Sequence, residues 1–210
     1  MSSDADLILI AVSDKALPTV IKRLKSFLTP GFRGIVAHTA GSVSIDVIKD
    51  HFIRAGVFYP LQTFTKELPL TGFQQIPIFI EGSDKATKAV LNDFASSLSS
   101  RVFSLCSEKR AKLHLAAVFV CNFVNGLYCV ANDILTEEQL PFDIFDALIA
   151  QTSFKALNFS PTKSQTGPSV RGDSNVIKRH LNLLRETPEI QLLYSVISDY
   201  IYKRFQNEQD

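Results

Sequence analysis

Between residues 7 and 105, short apolar runs alternate with amphipathic stretches, and that alternation limits the fold more than any other feature. The runs are LILIAV (7–12), IVAH (35–38), VFYPL (57–61), IPIFI (76–80) and VFSL (102–105). Between them lie Ala16–Phe27, Ser44–Arg54 and Asp84–Ser97, with apolar residues at helical spacing. Strand and helix in alternation predict a parallel α/β sheet. Residues 62–75, with Pro69 and Gly72, read as a polar loop. The first run is six unbroken apolar residues, as expected of a strand covered on both faces, yet only six residues precede it. Its neighbours are therefore expected to be missing. Leu7–Val12 is then an apolar edge that either pairs with itself or lowers solubility.

After residue 106 the rhythm becomes purely helical. Ser107 is placed to cap a long helix running from Glu108 to about Leu135, and Pro141 suits the first turn of a second ending near Asn158. Residues 160–173 are a loop by composition. Asp173 can cap a third helix, Ser174–Arg185, and Thr187-Pro188 opens a fourth that reaches about Gln206. The division expected is an α/β domain over 1–105 and an all-α domain over 106–210. Apolar residues at 46% and charged ones at 20% exclude a disordered chain, and a net charge of +1 gives no footing for a nucleic-acid groove. No metal-ligand spacing occurs, so no metal is expected. Cys121 and Cys129 fall on one predicted helix about 12 Å apart along its axis, too far to bridge. With Cys106 they fit a reducing, cytoplasmic location.

The long helix carries apolar residues on every side, among them Leu113, Ala116, Phe119, Phe123, Val124 and Leu127. Such a helix is buried or spans a membrane. His114, Asn122 and Asn125 interrupt it, which argues against lipid and for a central core helix. On an α-helical wheel His114 and Asn125 lie within about 20° of each other, with Asn122 some 80° round. Buried, they either pair within the protein or face a cleft where a substrate completes their bonding.

Two loops follow strands, where α/β sheets bind ligands: Val12-Ser13-Asp14 and His38-Thr39-Ala40-Gly41-Ser42. Gly41 allows close approach of the backbone, or marks only a tight turn. Ser42 can hold a phosphate or a substrate oxygen. His38 is either a catalytic group or a strand-end histidine bonded to backbone. Tyr59, beside Pro60, is a potential proton donor. In the loop QTGPSVRGD (165–173), Arg171 reads as buried and able to grip a carboxylate or phosphate by two prongs, or else pairs with Asp173 or a helix end.

Taken together, DLILIAVSD, HTAGS, VFYPLQTF, LHLAAVFVCNFVNGLY and TGPSVRGDSNVIKRHL resemble a family of NAD(P)-dependent oxidoreductases. That family joins a Rossmann-like N-terminal domain to an all-α C-terminal domain of unknown function. It is similar to pyrroline-5-carboxylate reductase, ketopantoate reductase and the 6-phosphogluconate dehydrogenase group. The resemblance implies a partial Rossmann-like parallel sheet followed by a helical domain of the 6-phosphogluconate dehydrogenase C-terminal type. It implies NADP as cofactor, bordered by Val12, Ser13 and Asp14 and by His38, Thr39, Ala40, Gly41 and Ser42. It implies a small carbonyl or imine substrate, with His114, His38, Tyr59, Asn122 and Asn125 as catalytic candidates. Gln62, Thr166, Gly167, Pro168 and Arg171 would contact substrate, and a homodimer would form through the helical domain, with no nucleic acid or membrane partner.

Two departures stand out. Relatives often have His where this chain has Tyr59. No GxGxxG turn occurs anywhere in the sequence, and such a turn is what approaches a dinucleotide pyrophosphate. The chain is therefore expected to lack the first βαβ of the family, to bind NADP weakly and to be weak or inactive by itself. Met1 is then either an internal start or the start of a shortened protein. The alternative reading is a non-catalytic dimeric binding module that has lost its cofactor half.

Overall fold

A computed structural model describes residues 5–65 and 72–206; Pro69, within the expected 62–75 loop, lies outside them. The chain forms two compact units, Met1–Asn125 and Gly126–Asp210.

The first unit is built on a five-stranded sheet in the order β1-β2-β3-β4-β5, with β1 Leu7–Ile10, β2 Ile35–His38, β3 Ala55–Pro60, β4 Ile78–Gly82 and β5 Val102–Ser104. β1, β2 and β3 are parallel neighbours, and so are β4 and β5. The β3–β4 pair departs from the parallel expectation: it is antiparallel, with Tyr59 opposite Phe79. No helix is described between these two strands, and without a crossover the chain can return beside itself in the opposite direction.

Alternation along the strands sorts two cores. Ile10, Val36, Val57 and Tyr59 pack with Leu17, Ile21 and Leu24 of α1 (Leu17–Phe27) and Ile48 of α2 (Asp46–Lys49). On the opposite face Ile35, Ala37, Phe58, Ile78 and Ile80 meet Leu91 and Ala95 of α3 (Lys85–Leu98). Each such side chain removed from water stabilises the fold by about 1.5–3 kcal/mol. Asp84 caps α3 by accepting the Thr87 N–H at 2.8 Å. At Gly56 the strand passes close to α3: a Cβ there would come within 2.5 Å of Leu91 Cδ1 and force that side chain to shift. The helix expected over 44–54 is a single turn. His51 and Phe52 both donate back to the Ile48 carbonyl, a tight exit that lets β3 begin at Ala55.

β1 is the edge strand and is shorter than its apolar run. Four residues pair with β2, and Leu9 is exposed.

From Ser107 to Glu137 the chain is helical without a break: α4 (Ser107–Ala117), a π-helical segment (Val118–Phe123) and α5 (Val124–Glu137). This stretch is long and apolar enough to cross a membrane by length and composition. The central core helix expected from sequence is not found. Arg110 and Leu135 are its only buried residues among those described, while Phe119 and Val120 are 60% and 75% exposed. Within the first unit α4 is buried at Arg110 and half-buried at Ala111, Leu113, His114 and Ala117, while Leu115 stays exposed.

In the second unit a 3-10 turn (Phe142–Phe145) leads into α6 (Asp146–Asn158). The expected 160–173 loop contains two single-turn helices, α7 (Pro161–Ser164) and α8 (Pro168–Arg171), each with proline in its first turn. Gly172, at φ +65°, ends α8 in the left-handed conformation glycine tolerates best. Asp173 caps α9 (Ser174–Leu183) through the Val176 N–H at 3.1 Å, and α10 (Pro188–Gln206) completes the unit.

Candidate functional site

The C-terminal ends of β1, β2 and β3 lie side by side, so the loops that follow them converge. The Ser42 hydroxyl donates to Asp14 Oδ2 at 2.5 Å, joining the first two loops directly. The Thr39 N–H also reaches the Ile10 carbonyl at 3.3 Å. Val12, Ser13, Asp14 and Ser42 are exposed, Thr39 is half-buried, and Ala40 and Gly41 are buried beneath them.

At the third strand end the Tyr59 hydroxyl meets His114 Nδ1 at 3.0 Å, with the rings edge-to-face and centroids 6.0 Å apart. Tyr59 comes from β3 and is only 9% exposed; His114 comes from α4 and is half-buried. Gly41 lies against both rings. A Cβ at this position would come within 2.7 Å of His114 Nδ1 and of Tyr59 Cζ, so glycine is required by close approach. Burial raises the Tyr59 pKa above its ordinary value, opposed by the positive charge of Arg110 and reinforced by Asp14. The phenol is therefore held in its O–H form at neutral pH.

His38 has a different part. Its ring is fully buried, Nδ1 accepts the Ala40 N–H at 3.2 Å, and Nε2 faces the Ser44 carbonyl at 3.3 Å. Those partners fix the neutral Nε2–H tautomer. Burial first, and Arg110 second, push its pKa down to about 4. With both nitrogens committed to backbone, His38 shapes the 38–44 loop; of the two roles open in sequence, the geometry is that of the backbone-bonded one.

Beneath the pair is a buried network that the sequence did not reveal. Arg110, 1% exposed, donates to Glu81 Oε2, to the Val43 carbonyl at 2.5 Å and to Ser107 Oγ at 3.1 Å. Glu81 accepts the Ser107 N–H at 3.0 Å and its hydroxyl at 2.8 Å, and Ser107 Oγ accepts the Ile45 N–H at 3.0 Å. The carboxylate thus sits at the N-terminus of α4, where the helix dipole favours it. The network pins α4 to β4 and to the 43–45 loop, which sets the height at which His114 meets Tyr59. A lone glutamate at the end of an apolar strand was its one visible signal.

Asn122 and Asn125 are exposed, contrary to the buried pair of asparagines expected. The wheel that placed Asn125 beneath His114 assumed an unbroken α-helix. The intervening π segment takes up an additional residue, worth about 100° of rotation, so that alignment is lost. Gln62 is exposed and its Oε1 accepts the Thr63 N–H at 2.9 Å. In the second unit Thr166 and Pro168 line a cavity, and Gly167 takes φ +116° ahead of α8. Arg171 is exposed at the last position of α8, so the buried guanidinium expected is not found; the short helix turns it to solvent.

A family model described as "Domain of unknown function (DUF2520)" matches residues 76–201, more than half of the chain. The chain belongs to the DUF2520 family. A solved structure from Bacteroides fragilis, named a "putative NADP oxidoreductase", is 40% identical with a TM-score of 0.88, covering 95% of this chain and 76% of that one. Protein TM1727 from Thermotoga maritima is 24% identical with a TM-score of 0.76, covering 96% and 79%. A reductive aminase from Aspergillus terreus, in complex with NADPH and ethyl-5-oxohexanoate, shares the fold at 12% identity and a TM-score of 0.65, covering 95% and 74%. No curated protein matches. This DUF2520 chain thus has the Rossmann-like sheet and all-α region of NAD(P)-dependent reductase folds.

Proposed function

We propose that this DUF2520 protein is an NADP-dependent oxidoreductase acting on a small carbonyl or imine, with His114 handling the proton. The observation that carries the reading is the Tyr59–His114 hydrogen bond at the converging strand ends. It is supported by the 40% identical Bacteroides fragilis protein and its name.

The strand-end loops fit the sugar and nicotinamide end of a dinucleotide. Asp14 gives one carboxylate oxygen to Ser42, leaving the other to accept from a ribose hydroxyl. Ser13, Thr39 and Ser42 offer further hydroxyls. When bound, such a cofactor supplies hydride. Since the sequence contains no GxGxxG turn, the affinity of this chain for NADP is placed low.

Tyr59 holds the imidazole through Nδ1, and its raised pKa keeps the phenol neutral. In the imidazolium form of His114, Nδ1–H donates to the neutral Tyr59 hydroxyl and Nε2–H delivers its proton to the carbonyl oxygen or imine nitrogen as negative charge develops there, leaving neutral imidazole that takes a proton back from water afterwards. His38 stays neutral and holds the loop. Arg110 and Glu81 hold the helix.

The reading extends to a homodimer formed through the helical region. Leu115, Phe119, Val120 and Phe123 are exposed, and a second copy would remove them from water. His114, Asn122, Asn125 and Asn132 on the same stretch favour a protein cover over lipid. Three free, exposed cysteines favour a reducing, cytoplasmic location. The test is NADPH consumption at millimolar cofactor with a panel of small ketones, aldehydes and cyclic imines. Substrate-dependent turnover is expected. A folded chain that consumes no NADPH with any member overturns the reading.

A further inference from the structure

The second unit carries a half-open cavity of about 370 Å³ lined from α5, the 166–169 segment, α9 and α10. Its walls are chiefly aliphatic, including Ile134 and Ile201, and no Lys, Arg, Asp or Glu lines it. Five polar residues reach it: Thr166, Ser169, His180, Tyr194 and Ser198. His180 Nδ1 and the Tyr194 hydroxyl are 2.8 Å apart. In either histidine tautomer this pair retains one further donor and one further acceptor: Nε2–H with the phenol oxygen, or the phenol O–H with Nε2.

Ser169 and Ser198, 8% and 6% exposed, belong to the same wall. An apolar cavity with a few convergent polar groups has the form of a small-molecule site.

We infer that this cavity binds a neutral, mainly apolar molecule of on the order of ten non-hydrogen atoms, bearing a hydroxyl or carbonyl. The size follows from the volume. Neutrality follows from the lining, because an ion brought into a wall with no opposite charge loses its hydration uncompensated. The polar group follows from the remaining donor and acceptor of the Tyr194–His180 pair. Thr166 and Pro168, which the family resemblance implies as substrate contacts, line this cavity, yet the inference rests on the composition of its walls and stands if the reductase reading fails.

The test is titration of the full chain with 4-propylphenol, read on the methyl resonances of Leu127, Val130, Ile134 and Ile201. 4-Propylbenzoate serves as the charged counterpart. Saturable shifts confined to those methyls are expected with the phenol, and affinity at least tenfold weaker with the benzoate. Ser198→Leu fills the cavity and should abolish the shifts. Tyr194→Phe keeps the shape and should weaken binding at least threefold, which covers the case in which Ser198→Leu does not fold. Absence of saturable shifts, equal binding of the benzoate, or unchanged binding in Tyr194→Phe overturns the inference. So do methyl shifts that depend on protein concentration without probe, since a second copy then fills the groove.

Discussion

The two units each contain a Tyr–His pair bonded through Nδ1, at 3.0 Å for Tyr59–His114 and 2.8 Å for His180–Tyr194. The pairs are nearly identical as chemistry and differ in what surrounds them. Tyr59–His114 sits where three parallel strands end, against the Gly41 backbone and above a buried Arg110–Glu81 ion pair. His180–Tyr194 lies between helices in a wall without a charged residue. The first environment offers fixed charge and loops able to hold a polar cofactor. The second offers only apolar surface and neutral hydrogen bonds. A residue pair does not define a site; the charge and backbone around it do.

The contrast can be broken at its strongest point. His114→Gln removes the proposed proton donor and should lower turnover by about 10²–10⁴-fold, measured by steady-state NADPH consumption. Next in size, Arg110→Ala leaves the half-buried Glu81 carboxylate without its partner. It should destabilise the first unit by about 3–5 kcal/mol in urea unfolding, and should raise the His38 pKa by removing a nearby positive charge.

Acid should separate the regions further. The His38 pKa of about 4 lies below the ordinary 6.5, so on acidification the unfolded chain takes up the proton first. Stability is then unaffected above about pH 6.5 and falls between there and pH 4, by roughly 3 kcal/mol. His38→Gln should flatten that slope in unfolding curves. Asp84 acts in a lower window: its pKa of about 2, held down by Thr87, contributes stability above pH 3.8 that is lost as pH falls toward 2. The smallest effect sharpens the comparison. Tyr59→Phe and Tyr194→Phe each remove one hydrogen bond and should cost about 1 kcal/mol of stability, but only Tyr59→Phe should also lower kcat with KM unchanged.

The strands were legible because apolar runs bounded by turn residues have few alternatives, and Asp173 announced a helix start by its chemistry; Ser107 does not cap α4 as expected, because it is the first helical residue and its hydroxyl donates to Glu81. The strand-end loops follow from the same logic, which places Asp14, Ser42 and Gly41 in one region. Tyr59 and His114 were each visible, but their contact was not: they are 55 positions apart and meet only through the Arg110 network. Asn125 was misplaced because a π segment leaves no mark in an apolar run, and every angle counted across it is wrong. Burial was misread for the long helix, since sequence reports which residues are apolar and not which surface covers them.

The most direct test of the account measures kcat and NADPH affinity together in His114→Gln. The account predicts a fall in kcat of at least 100-fold with NADPH affinity within twofold of the unmodified chain. A kcat within twofold of the unmodified chain would contradict it.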